Sequence, residues 1–426
     1  MRIVIATFGS LGDLHPVMAL GLELQRRGHT VAVATSEYHR RRVEQAGLGF
    51  HAVRPDLRPD DAALIRATMD ERRGPEQVVK YMLADLAGTY DDTARAVRAG
   101  GADLLITSDL AFAAQILAAE AKIPFASIVL SPISFLSAYD PCVLPALPWL
   151  SSLRVLGPGV YGVVLRGLRH LARRLAQPVN DLRRARGLPP VRDPFFEDKL
   201  SPSLVLAMFS PLLGRAQPDW PRQAVVTGFA FHDALEGESS LPPDVERFIE
   251  AGDPPIVFTL GSAAVFDPGK FYVESAAAAH VLGRRAMLLV GPGGVARTPG
   301  LRTGPDLAVF EGAPFAALFP RVAAIVHQGG SGTTGQAMRA GRPMLIVPYA
   351  HDQPDNAFRV SRLGIARTIR RGRYTARMAA RELDRLLADA SYAARAEEVG
   401  RAVRKENGAA AAADAIERMG GQPIKG

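Results

Sequence analysis

Cysteine is all but missing. A single residue, Cys142, in a chain of 426 leaves no partner for an internal disulfide and fits a reducing compartment. Aromatic residues are also scarce, at 7% with two tryptophans, and they do not interleave with the arginines. No finger, basic-zipper or RNA-binding signature accompanies the formal charge of +8, so no nucleic-acid partner is expected. The densest basic stretch, 166–187, sets Arg166, Arg169, Arg173 and Arg174 among Leu165, Leu168, Leu171 and Leu175 at helical spacing. It reads as the solvated face of an amphipathic helix in preference to a contact with an anionic membrane or an acidic substrate. Long apolar runs are missing as well. Charged residues or prolines interrupt every candidate membrane helix, and no cleavage-site pattern follows "IVIATF". The expectation is a cytoplasmic protein without stable membrane insertion. His51, His170, His232 and His280 lack the partner spacing that zinc needs, so no metal site is expected.

What is present suits two domains. The length exceeds what one core usually organises, and 48% apolar residues suffice for two. Strands and helices alternate, the pattern of parallel sheets covered on both faces. "RIVIATF", "TVAVAT", "DLLITSD" and "PFASIVL" read as strands in the first half, with helices over 16–27 and 75–97. The alternation resumes at "PPIVFTLGS" and continues through "AMLLVGPG", "LAVFEG", "AAIVHQGG" and "PMLIVPY". Between the runs, 209–245 is rich in proline, glycine and small polar residues. The expected organisation is an N-terminal domain at 1–220, a linker at 221–253, a second domain at 254–408 and a helix at 409–426 free to pack back on the first domain. The expected fold is α/β, with two Rossmann-like doubly wound domains facing each other across a cleft.

Each half has glycine breaks after a strand, where open α/β sheets bind ligands. They are "FGSLGDLHP" at 8–16, "TLGSAAVF" at 259–266 and "VHQGGSGTTGQAM" at 326–338. In the last, Gly329, Gly330 and Gly332 leave room for a ligand, and Ser331, Thr333 and Thr334 open a helix. Backbone N–H groups at a helix start bind anions, phosphate above all. The segment is neither a P-loop, since Gly-Lys-Ser/Thr is absent, nor a dinucleotide fingerprint. "HDQPDNA" follows one strand later and puts Asp352 and Gln353 within reach of the hydroxyls of a ligand whose phosphates sit at 330–333.

With "GSLGDLHP", "PDWPRQAVVTGFAFHD" and the run from His327 to Asn356, the chain resembles, over nearly its whole length, the family-one nucleotide-sugar glycosyltransferases of GT-B fold. That family includes antibiotic, macrolide, sterol and plant flavonoid glycosyltransferases. The resemblance implies an inverting transfer of a hexose or deoxyhexose from a UDP- or dTDP-sugar to a hydroxyl of an apolar acceptor such as a flavonoid, another polyphenol or a macrolide. The nucleotide-sugar is a co-substrate; no resident cofactor and no metal are implied, and the metal-binding Asp-x-Asp of the other large glycosyltransferase fold is absent. By resemblance, the donor sits in the C-terminal domain and the acceptor in the N-terminal one. His327 and the turn of Gly330, Ser331, Gly332 and Thr333 would contact the diphosphate, and Asp352 and Gln353 would hold the sugar. Gly261 and Ser262 would close over the donor, and Gly12 is counted with the donor contacts. Gly312 stands where plant members carry a base-stacking tryptophan, which leaves Phe315 or another group to cover the base. Gln336 stands where many relatives have a ribose-binding glutamate, and the base, uridine or thymidine, stays open.

The opening loop then offers a general base for the acceptor hydroxyl. Plant members place a histidine three residues before the loop proline; here that position is Asp13, while His15 adjoins Pro16. Register favours Asp13, whereas the need for a pKa near neutrality favours His15, and Asp13 is placed first and His15 second. Asp109 matches the acid that orients the base. The plain alternative is that Asp13 caps the helix. Phe135, Tyr139 and Trp149, in the proline-rich stretch 131–150, are expected to line an apolar acceptor loop, or else to plug the core. A sugar-nucleotide epimerase and a catalytically silent nucleotide-sugar-binding protein are the competing readings.

Overall fold

The computed structural model describes residues 1–58, 61–233, 240–298, 300–301 and 303–420. Residues 234–239 of the expected linker and 421–426 of the expected terminal helix lie outside them. Contacts divide the chain into two units, one of Met1–Arg58, Pro75–His232 and Glu406–Gly426, the other of Pro59–Gly74 and Asp233–Lys405.

In the first unit, β1 (Arg2–Ala6), β2 (Thr30–Thr35), β3 (Gly49–Ala52), β4 (Leu104–Thr107), β5 (Phe125–Val129), β6 (Val205–Ala207) and β7 (Ala224–Val226) form one sheet. Its order is β3-β2-β1-β4-β5-β6-β7 and every pairing is parallel. The central strands are short apolar runs buried on both faces, as parallel strands under two helix layers must be. The order reverses between β1 and β4, and in such sheets ligands bind outside the strand ends at the reversal. Helix Leu11–Arg26 packs Leu14, Val17, Leu20 and Leu24 onto Ile3 and Ile5. The same core takes Ala412, Ala413 and Ile416 of helix Gly408–Gly420, and Arg27 ties that helix down through Asp414 at 2.6 Å and Glu417 at 2.8 Å.

In the second unit, β8 (Ile256–Thr259), β9 (Ala286–Leu289), β10 (Leu307–Phe310), β11 (Ala324–His327), β12 (Met344–Ile346) and β13 (Ala366–Thr368) form a parallel sheet. Its order is β10-β9-β8-β11-β12-β13, so the reversal falls between β8 and β11. No described helix is long and apolar enough to cross a membrane.

Several expectations are corrected. The first helix starts at Leu11 and not at Pro16, because Ser10 and Asp13 form a capping box around its first turn. The span 75–97 holds two helices, Gly74–Leu83 and Leu86–Gly100; Asp85 caps the second by accepting from Gly88 N–H. The basic stretch 166–187 is likewise divided among helix Gly157–Ala172, a 3-10 turn Arg173–Leu175 and helix Gln177–Ala185. The expected linker contributes β7 to the first sheet and helix Pro243–Glu250 to the second unit, and residues 61–74 count with the second unit.

Candidate functional site

In the second unit, three loops leave the carboxyl ends of the adjacent strands β8, β11 and β12. They carry Gly261 and Ser262, then Gln328 to Gly330, then Tyr349 to Asp352. The glycines are required. Gly329 has φ +90°, and a Cβ there would stand 2.9 Å from Ile346 Cγ2 and 3.0 Å from the Gln353 carbonyl oxygen. Gly261 has φ +66°, and a Cβ there would overlap the Gln328 amide. Gly330 caps helix Ser331–Ala340 without a side-chain hydrogen bond. The first-turn N–H groups of Ser331, Gly332 and Thr333 are thus left without a capping side chain, with the positive end of the helix dipole behind them. Ser331 and Gly332 are half-buried and Thr333 is buried. Such an arrangement binds an anion.

Asn356 joins the second and third loops. Its Nδ2 donates to the Gly329 carbonyl at 2.9 Å and to Asp352 Oδ2 at 2.7 Å. Asp352, half-buried at the start of helix Gln353–Arg362, is thereby held beside the glycine turn. Gln353 is buried, and its Oε1 accepts from Tyr349 N–H at 2.8 Å and Ala350 N–H at 3.1 Å. Its Oε1 therefore shapes the loop.

His327 is corrected. Its ring is fully buried; Nδ1 accepts from Gly329 N–H at 3.0 Å, and Nε2 lies 3.3 Å from Met344 Sδ. Burial lowers its pKa to about 3, so it stays neutral with the proton on Nε2. In this orientation the imidazole positions the glycine turn and does not itself face an anion. Phe315 opens the short helix Phe315–Leu318 after edge strand β10, two strands away from β8, and stacks on buried Phe319 at 4.4 Å. Gln336 donates from Nε2 to Asp233 at 3.3 Å, one turn further along the helix.

In the first unit, the opening loop follows β1 and Asp109 follows β4, across the sheet reversal. Asp13 Oδ2 accepts from Ser10 N–H at 2.8 Å and lies 3.3 Å from Ser10 Oγ, while Gly12 N–H donates to Ser10 Oγ at 3.2 Å. Gly9, at φ +126°, leaves the space the Asp13 carboxylate fills. The pKa of Asp13 is pushed up to about 6, chiefly by burial, against the pull of the Ser10 hydrogen bonds and with a smaller push from the Asp109 charge. His15 goes the other way, to about 3, through burial and then the neighbouring His232, Arg42 and His39. Its ring lies 5.5 Å from that of His232, and Asp109 does not figure among the charges acting on it. Asp13, and not His15, has the pKa a general base needs. Asp109 is held instead by Lys199 Nζ at 3.1 Å and by Ser134 Oγ at 2.5 Å, two partners that the sequence reading missed.

The stretch 131–150 is not uniform. Phe135 is buried, stacked on Trp220 at 4.0 Å and set edge-on to Phe209, so it is a core residue and not part of an acceptor lining. Tyr139 and Trp149 are exposed, by 53% and 60%. Asp219 fixes the loop through Ser137 Oγ at 2.6 Å and Ala138 N–H at 2.7 Å. Among the described residues, no group of three or more histidines, cysteines and carboxylates is placed to hold a metal ion.

Residues 3–131 match the glycosyltransferase family 28 N-terminal domain, and residues 297–417 match the erythromycin biosynthesis protein CIII-like C-terminal domain. An O-mycaminosyltylonolide 6-deoxyallosyltransferase of Streptomyces fradiae is 34% identical over 96% of the chain and 95% of its own length. The glycosyltransferase GtfE of Amycolatopsis orientalis is 32% identical over 86% of the chain and 85% of its own. Among solved structures, the spinosyn rhamnosyltransferase SpnG complexed with thymidine diphosphate superposes with a TM-score of 0.70, at 19% identity, over 98% of this chain and 100% of that one.

Proposed function

Because the chain belongs to the family-one nucleotide-sugar glycosyltransferases of GT-B fold, and so is an enzyme of natural-product glycosylation, we propose that it is an inverting, metal-independent transferase that moves a hexose or deoxyhexose from a UDP- or dTDP-linked donor to a hydroxyl of an apolar small molecule. The likeness to a deoxyallosyltransferase favours a deoxyhexose and a macrolide-like acceptor.

The observation that carries this reading is the convergence of the 260–262, 328–331 and 349–352 loops around a helix start without a side-chain cap. In the proposed mechanism, the N–H groups of Ser331 to Thr333 take the diphosphate and stabilise the charge that grows on it as it leaves. Asp352, fixed by Asn356, holds the sugar hydroxyls. Asp13 removes the acceptor proton while the hydroxyl oxygen attacks the anomeric carbon from the face opposite the leaving group, which inverts the configuration. The decisive experiment has two stages. Calorimetric titration with UDP, dTDP and their sugars identifies the donor, and an acceptor screen read by mass spectrometry identifies the product. The anomeric coupling of the product must show inversion. A retained configuration, or nucleotide-sugar conversion without transfer, overturns the proposal.

A further inference from the structure

The basic stretch has a second feature that its arginines alone do not reveal. Between Asp140 and Asp181 there is no acidic residue, while Arg154, Arg166, Arg169, Arg173 and Arg174 fall inside. Within that span, helix Gly157–Ala172 turns Tyr161 and Leu165 inward onto Leu136 and Cys142. Its opposite side is not polar. Val155 is 82% exposed, Leu156 56%, Val160 48%, Val163 58% and Leu171 55%. Leu156, Val160 and Val163 recur at helical spacing and make an outward apolar stripe, opened at its amino end by Val155 and Pro158. Arg166, Arg173 and Arg174 lie exposed beside that stripe and form no ion pair among the described residues, whereas Arg169 turns inward to Glu197 and Asp193.

A solvated helix face has no use for four valine and leucine side chains more than half exposed, and each costs free energy in water. Arginines that face no acid and flank an apolar stripe are the two halves of an interfacial helix: the apolar side enters the headgroup boundary and the cations meet lipid phosphates. We propose that this face, from Val155 to Arg174, docks the enzyme reversibly on an anionic lipid surface. The charge decides among occupants, since a second copy of this chain would bring its own arginines against these. The geometry allows docking and not insertion, because no described helix is long and apolar enough to span. Docking would place the enzyme where an apolar hydroxylated molecule accumulates.

The test uses the full chain with two sets of vesicles, pure phosphatidylcholine and the same lipid with about a third phosphatidylglycerol. The protein should sediment with the anionic vesicles and be released by salt, with each arginine worth about fivefold in affinity at low salt. Trp149, 60% exposed in the 3-10 turn Pro148–Leu156, should shift its fluorescence to the blue, while buried Trp220 stays silent. The double variant Val160→Ser, Val163→Ser should weaken binding by on the order of tenfold or more, with melting temperature and transfer to a water-soluble acceptor unchanged. Arg166→Gln with Arg173→Gln and Arg174→Gln should abolish the preference for anionic lipid. Wild-type protein that ignores both vesicles, or valine variants that bind as wild type does, overturns the proposal. A dimer that the valine variants dissociate overturns it as well, since the face would then belong to a second copy.

Discussion

Lys199 Nζ lies 3.1 Å from Asp109 Oδ1, and both belong to the unit that carries Asp13. The amine is buried, and the loop bearing it is stitched to β5, where Ser127 Oγ donates to the Lys199 carbonyl at 3.1 Å and accepts from Ser201 N–H at 2.8 Å. The Lys199 ammonium answers much of the Asp109 charge, which adds only a minor push to Asp13. Removing the amine exposes Asp13 to the whole of that charge. Lys199→Met should move the acid limb of the pH–rate profile upward and lower turnover at pH 6, and Lys199→Arg should restore much of both. It should also cost about 3 kcal/mol of stability, the low end for a broken buried pair, because Asp109 keeps some water. A folded Lys199→Met enzyme with an unmoved acid limb would separate Lys199 from the base.

The glycine turn makes a steric prediction. Gly329→Ala requires a side chain at φ +90° within 3 Å of Ile346 and of the Gln353 backbone. The strain is about 1–3 kcal/mol, and it is relieved only by moving the turn that presents the N–H groups. Affinity for the nucleoside diphosphate should fall roughly tenfold or more, measured by calorimetry. Gly312→Ala, with open space around it, is the control and should bind normally.

His327 and Asp352 should fail differently. His327→Ala leaves the buried Gly329 N–H without its acceptor, a loss of about 1–3 kcal/mol, and loosens the turn. It should weaken nucleoside diphosphate and complete donor alike. Asp352→Ala should spare the nucleoside diphosphate and weaken the complete donor only. Parallel losses for both ligands in Asp352→Ala would remove it from the sugar.

Chelation is the simplest measurement. EDTA should leave transfer intact, since the described residues offer no ligand cluster and the helix start can carry the leaving charge. Activity lost to EDTA and restored by magnesium or manganese would require ligands elsewhere.

What the sequence made legible was local. Strand–glycine–helix breaks at 8–16 and 326–338 announced both sheet reversals, because a parallel strand buried on both faces is a plain apolar run and the turn after it needs glycine. Pro16 misled, since proline usually opens a helix, and here the capping box opens it five residues earlier. The misses were long-range. Nothing near Phe135 announces the stack on Trp220, and nothing near Asp109 announces Lys199, ninety residues on. His327 and Gln353 were placed correctly beside the turn, but burial, which no local pattern reports, makes them its supports.

The last prediction asks whether Asp13 is a base or only a cap, and the two roles have opposite signs in stability. A carboxylate kept solely as a cap stabilises the fold when ionised, so its folded pKa would lie below the usual value and its loss would cost about 1 kcal/mol. Here the pKa is raised from 3.8 to about 6. The folded chain thus binds the proton more tightly than the unfolded chain does. Its contribution to stability is present below the unfolded value and is lost as pH climbs through 6. That rise amounts to about 3 kcal/mol that the ionised form withholds at neutral pH. Asp13→Asn keeps an acceptor for Ser10 N–H and never ionises. It should therefore melt higher than wild type at pH 8, with the difference vanishing near pH 4. It should also lose turnover on an aliphatic hydroxyl by on the order of a hundred- to ten-thousand-fold, with donor affinity unchanged. His15→Ala should lose far less, since its imidazolium is strongly disfavoured where it stands. An Asp13→Asn enzyme that melts lower at pH 8 and still turns over would reduce Asp13 to the helix cap.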